Sequence, residues 1–158
     1  MGNIFGASEV VELAVQIERN GKDFYTALAD RLPNPKARDV FTYLAAQEER
    51  HMAVFQEMRG HLHRYEPPES YPGEYISYMR ALASEHIFTQ GGKGKEVAGR
   101  VASESEAMDL AIGFENDSIV FYTGMTKVVP DHDHPVIEAI IAEERKHLAQ
   151  LMEMKEKI

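Results

Sequence analysis

Two stretches of this sequence repeat one chemical pattern. In "QEERHMAVFQEM" Glu48 is followed three residues later by His51, and in "EERKHLAQLMEM" Glu144 is followed three residues later by His147. On a helix of about 3.6 residues per turn, each pair lies on one face, separated by about 4.5 Å of rise. A carboxylate and an imidazole so placed can reach the same ion or two adjacent ions. The first pair falls inside an apolar stripe, with Val40, Tyr43, Leu44 and Ala45 before it and Val54, Phe55 and Met58 after it. Burying such groups without compensation costs on the order of several kcal/mol. Each half also carries an earlier Glu in an apolar setting, Glu18 in "ERNGKDFYT" and Glu115 in "ENDSIVFYT". Glu18 and Glu48 are 30 residues apart, and Glu115 and Glu144 are 29 apart, which reads as a duplicated helical hairpin.

Four carboxylates sharing a core repel one another, take up protons and destabilise the fold. Two divalent cations cancel their charge, and two neutral imidazoles complete a mixed oxygen and nitrogen set suited to iron or manganese, with zinc possible. The chain has no cysteine, so thiolate metal sites, iron–sulfur clusters, disulfides and catalytic thiols are excluded. A single Glu-x-x-His is weak as a signal; two of them, each with a partner Glu one helix earlier, are specific to a dinuclear centre in a helical bundle. Tyr25 and Tyr122 lie two turns beyond Glu18 and Glu115, where bonding to the ligands and plain core packing are both open. "DHDHP" (131–135) and "HLH" (61–63) are metal-like by count but read as solvated turns. Glu85 and His86 are adjacent and cannot share a helix face.

Four long helical stretches must position these side chains. The first opens at Ser8, a candidate N-cap, and stops before Pro33. The second runs from about Pro35 to His61. The third runs from Ser103, with Glu106 completing a capping box, to about Val129. The fourth runs from Pro135 to the end. Short links at "PNPK" and "VPDHDHP" make each pair antiparallel. The long stretch between the second and third helices, with a shorter helix at Glu74–Thr89 between Pro-rich and Gly-rich turns, can travel the length of the bundle. The expected fold is all-α, a four-helix bundle with one long crossover, in a single domain over 1–158. A net charge of −9 argues against nucleic acid or an anionic membrane as main partner. No apolar run approaches a membrane span of about 20 residues, no signal-peptide pattern is present, and "MGNIFG" has Gly6 where a myristoylation site needs Ser or Thr. A cytoplasmic location is expected.

At these residues the chain resembles the ferritin-like di-iron carboxylate superfamily and, within it, the rubrerythrin group. The resemblance implies Glu18, Glu48, His51, Glu115, Glu144 and His147 as ligands of two iron ions, with Glu48 and Glu144 bridging. It implies reduction of peroxide or dioxygen, a role in oxidative stress, and the four glutamates as catalytic metal ligands with Tyr25 and Tyr122 beside them. The alternatives are ferroxidase or other iron handling, or a helical interaction protein with a vestigial site. Two departures stand out. The four-cysteine rubredoxin domain is missing, which implies a separate electron donor such as a rubredoxin-like protein. Ser118 stands where rubrerythrins carry a second Glu on the third helix, leaving six ligands as in bacterioferritin-type centres. With no fifth helix after Ile158, a small oligomer, a homodimer, is expected over a storage shell.

Overall fold

Pro33 and Pro35 bracket the first turn, and Asn34 between them starts the second helix. Its side-chain oxygen accepts from the backbone N–H of Lys36 at 2.9 Å and of Ala37 at 3.5 Å, satisfying two donors that a helix start leaves free. The computed structural model describes residues 7–62 and 74–157. The long helices are α1 (Ala7–Arg31), α2 (Pro35–Arg59), α5 (Glu104–Met125) and α6 (His134–Glu156); between α2 and α5 lie α3 (Glu74–Glu85) and α4 (Lys93–Gly99). Among the described residues there is no strand, and no helix is long and apolar enough to cross a membrane.

Helix boundaries differ from the sequence pattern where burial outlasts helicity. Ser8 lies inside α1, since Ala7 before it is already helical and buried. The third long helix stops at Met125, yet Val128 and Val129 in the following turn are buried, so the apolar pattern runs on past its end. Ser103 does cap α5, accepting from Glu106 N–H at 3.1 Å, while the Glu106 carboxylate reaches back to Ala102 N–H at 3.3 Å, one residue earlier than a standard capping box.

The crossover departs further. In place of one helix over 74–89, α3 breaks at His86, whose Nδ1 accepts from Phe88 N–H at 3.2 Å, and a 3-10 turn follows at Ile87–Thr89. The α4 helix was not apparent in the sequence. It sits close against α1: a Cβ on Gly94 would lie 1.9 Å from the Asn20 carbonyl oxygen. Asn20, fully buried, holds this segment through its side chain, donating to the carbonyls of Phe88 at 2.7 Å and Gln90 at 2.6 Å and accepting from Gly94 N–H at 3.0 Å. The expected Pro-rich turn before α3, "MGNIFG", and His63 of "HLH" lie outside the described residues.

The direction of the helices follows from paired contacts. Tyr25 of α1 reaches Glu115 of α5, while Tyr122 of α5 reaches Glu18 of α1. The two helices are therefore antiparallel, and α5 runs parallel to α2, as a single long crossover requires. Between them, Phe24, Tyr25, Phe41, Phe88 and Phe114 form a contiguous aromatic cluster, with Tyr25 and Phe41 stacked at 5.7 Å. Phe55, Phe121 and Tyr122 pack together on the Tyr122 side.

Because Asn20 satisfies three backbone groups of the crossover, Asn20→Ala should lower stability by about 2–4 kcal/mol through buried groups left unpaired. Urea unfolding measures this. A loss under about 0.5 kcal/mol, within the range of an ordinary surface substitution, would mean that the crossover is held elsewhere.

Candidate metal centre

Each hairpin delivers three charged or polar side chains to one level of the bundle interior. Glu18 comes from α1, Glu48 and His51 from α2, Glu115 from α5, and Glu144 and His147 from α6; all six are buried. Their ligand atoms fall into two overlapping groups, Glu18/Glu48/His51/Glu144 and Glu48/Glu115/Glu144/His147, each spanning no more than 4.8 Å. Glu48 and Glu144 belong to both. The imidazoles of His51 and His147 lie near parallel, with ring centres 5.9 Å apart.

The cluster is short of partners. Eight buried side-chain atoms on these six residues have no hydrogen bond: Glu18 Oε2, both oxygens of Glu48 and Glu144, Glu115 Oε2, and Nδ1 of both histidines. His51 Nδ1 stands 2.7 Å from Glu144 Oε1, but without hydrogen-bond alignment. His147 Nδ1 is 3.8 Å from Glu48 and Glu115 and 3.9 Å from Glu144. Buried polar atoms are ordinarily satisfied, so a set of orphans that, among the described residues, is confined to converging carboxylates and imidazoles fits cations bound among them. Its oxygen and nitrogen donors suit a dinuclear centre of borderline-hard metals.

Three further atoms of the cluster, Glu115 Oε1, Glu18 Oε1 and His51 Nε2, are tied down. Tyr25 donates to Glu115 Oε1 at 2.7 Å and Tyr122 to Glu18 Oε1 at 2.5 Å, so each tyrosine bonds the glutamate of the other hairpin and leaves that glutamate's second oxygen free. Burial, and then the charges of Glu115 and Glu18 respectively, push both phenols well above their usual range, which keeps them protonated as donors. His51 Nε2 lies 2.5 Å from Glu143 Oε2, and Glu143 also receives Arg50 at 2.6 Å.

The Rubrerythrin family model matches residues 9–155. The chain belongs to the rubrerythrin family. A solved structure from Thermotoga maritima, described as a ferritin-like diiron-carboxylate protein, superposes with a TM-score of 0.68 at 26% identity, covering 97% of this chain and 96% of that one. No curated protein matches the sequence.

Within this rubrerythrin-family bundle, two residues near the centre were not anticipated. Glu143 gave no signal, being one more acid in "AEERKH". His86 is the other: Glu85 is exposed and does not share its face, but His86 itself is buried, with Nε2 3.4 Å from the Ser118 hydroxyl. With Nδ1 accepting from Phe88, Nε2 carries the proton and faces Ser118. Burial lowers this imidazole to about 4, with the charge of Glu18 a smaller opposing influence, so it is neutral.

Without metal the cluster is electrostatically unsettled. Burial first, then the neighbouring carboxylates, raise Glu48 well above the usual carboxylate range; Glu115 and Glu144 are raised too, again chiefly by burial. For His51, burial opposes charge but Glu144 and Glu18 overcome it and lift the group to about 11. Two groups go the other way. Burial would raise Glu18, but Glu48, His51 and Tyr122 together lower it; His147 is lowered, chiefly by burial.

A raised group stabilises the fold below its unfolded pKa and loses that contribution as pH rises through its folded value. A lowered group does the reverse, and the contributions of Glu18 and His147 are complete once pH passes the ordinary histidine value of 6.5. Above it only the raised groups still titrate. In chelator, the melting temperature should therefore fall as pH rises from about 6.5 to 9. Glu48→Gln should flatten that slope, and metal should abolish it. A chelated protein whose melting temperature holds constant over this range would contradict the arrangement.

Proposed function

We propose that this chain is an oxidoreductase reducing peroxide or dioxygen at two iron ions held by Glu18, Glu48, His51, Glu115, Glu144 and His147. The observation that carries this reading is the sharing of Glu48 and Glu144 between two four-residue groups in which eight buried atoms lack hydrogen-bond partners. Two metals so held supply electrons and Lewis acidity.

The protein's own contributions can be assigned to particular groups. Glu48 and Glu144, common to both four-residue groups, would hold both ions. Tyr25 and Tyr122 fix one oxygen of Glu115 and Glu18 and leave the other directed at the centre. With metal bound and Nδ1 deprotonated, Glu143 would accept from His51 Nε2–H and so leave the Nδ1 lone pair facing inward, as carboxylates behind metal-bound histidines do. A mostly apolar cleft of about 160 Å³ is lined by Phe24, His86, Phe88, Phe114 and Asp117 and by none of the six cluster residues. One of its lining residues, His86, meets Ser118.

Ser118 favours a second reading. A hydroxyl in place of a carboxylate leaves six ligands, which suits oxidation and handling of iron without sustained peroxide reduction. One experiment separates the two. Protein reconstituted with ferrous iron should hold two ions per chain by elemental analysis and, mixed with peroxide and an excess of reductant in stopped flow, should turn over repeatedly. A single oxidation followed by release of ferric iron would favour handling. Fewer than two ions per chain would remove both.

The halves should also respond unequally to substitution. By the internal repeat, Gln47 stands where the other hairpin has Glu143, so among the described residues His51 has a carboxylate behind it and His147 has none. Glu143→Gln should weaken metal binding about 10- to 100-fold, with Gln47→Ala changing it little. Competition with a chromophoric chelator measures both, and equal effects would refute the asymmetry.

A further inference from the structure

Outside the dinuclear centre, the fold joins two histidine-rich turns that are far apart in sequence. His61 follows the C-terminal end of α2, while His132 and Asp133 form the 3-10 turn that enters α6. His61 Nε2 lies 3.1 and 3.2 Å from the two oxygens of Asp133, and His132 Nε2 lies 3.7 Å from Asp133 Oδ2. One nitrogen from each imidazole and one carboxylate oxygen fall within 4.8 Å of one another. His61 of "HLH" and His132 and Asp133 of "DHDHP" are thus brought together, still partly exposed, where two helix ends meet.

We propose that His61, His132 and Asp133 form a mononuclear site for a divalent first-row transition ion such as zinc or copper, independent of the dinuclear centre. Donors bound to one such ion at about 2.0–2.2 Å stand roughly 3–3.5 Å from one another, and the His61–Asp133 spacings fall in that range while the His132 spacing exceeds it slightly. The two imidazole rings, with centres 5.7 Å apart, are close enough to share an ion. Two imidazoles and one carboxylate, with water completing the set, match the borderline preferences of zinc, copper, nickel and ferrous ions rather than calcium or magnesium.

The conformation of Asp133 supports this assignment separately. It occupies the N-cap position of α6, where an aspartate ordinarily accepts from the first free N–H groups, yet its side chain makes no capping bond. Its carboxylate is instead 6% exposed and turned to the imidazoles, which are 48% and 71% exposed and open to ions from solvent. The neighbouring His134 is not a member: its Nε2 lies 3.2 Å from the Val129 carbonyl.

Metal-depleted full-length protein titrated with zinc in a calorimeter tests the proposal. Wild type should bind one ion per chain more than His132→Ala, and more than His61→Ala, with the dinuclear ions retained in both. His132 is too exposed for its truncation to disturb the fold, and His134→Ala should leave the count unchanged. Copper added to protein whose dinuclear centre is already filled with zinc should give a mononuclear electron paramagnetic resonance spectrum with nitrogen coupling from two imidazoles, reduced to one in His132→Ala. Identical zinc counts in wild type and His132→Ala, or a copper spectrum unaffected by that substitution, would overturn the site.

Discussion

Mutual repulsion among four carboxylates in a water-free core is the constraint around which this bundle is arranged. Glu18, Glu48, Glu115 and Glu144 are all fully buried. Such a group of like charges is tolerated only where opposite charge or protons reach it. The surrounding residues direct that requirement without meeting it. Tyr25 and Tyr122 each neutralise part of one carboxylate by donating a single hydrogen bond, Glu143 takes the outer nitrogen of His51, and the inward atoms are left open. Rigid aromatic packing around Phe24, Phe41 and Phe114 keeps the side chains from turning away to relieve the strain of charge.

The duplication visible in the sequence is only partly preserved in chemistry. The glutamates, histidines and tyrosines repeat, and the tyrosines bond reciprocally. The flanking groups do not repeat. Glu143 stands against Gln47, and Ser118 faces a buried neutral imidazole, His86, that belongs to the crossover and has no counterpart within the hairpins. A symmetric set of ligands therefore sits in an asymmetric surround, with one side linked through Glu143 and Arg50 toward solvent and the other backed by the crossover and its apolar cleft.

Much of this was legible because buried charge is conspicuous in an apolar pattern. Glu48 and His51 interrupt a stripe of aliphatic residues, and the interruption repeats at Glu144 and His147; neither fact needs coordinates. Residues whose role depends on what lies opposite were not legible. Asn20 looks like an exposed polar residue in "ERNGKDF", and only the return of the crossover gives its amide three backbone partners. The α4 helix escaped notice because "KGKEVAG" is glycine-rich, a composition that signals a turn, whereas Gly94 serves close contact with α1. His61 and Asp133 lie in turns that offer no scaffold when each is taken alone, and their meeting is a consequence of how α2 ends and α6 begins. For the tyrosines, a place two turns beyond a ligand glutamate leaves bonding and core packing both open, and antiparallel packing hands each to the glutamate of the other hairpin.

That exchange of tyrosines has an architectural meaning. Each four-residue group takes three members from one hairpin and the fourth from the other, and each outer glutamate is steadied by a phenol from across the divide. Neither hairpin contains a finished metal position. The centre is in effect an internal subunit interface, and an ion bound there fastens two halves that the crossover merely tethers. Loading and assembly thus become the same event: a chain whose hairpins had failed to dock could not hold its metal, and the presence of metal would certify that they had.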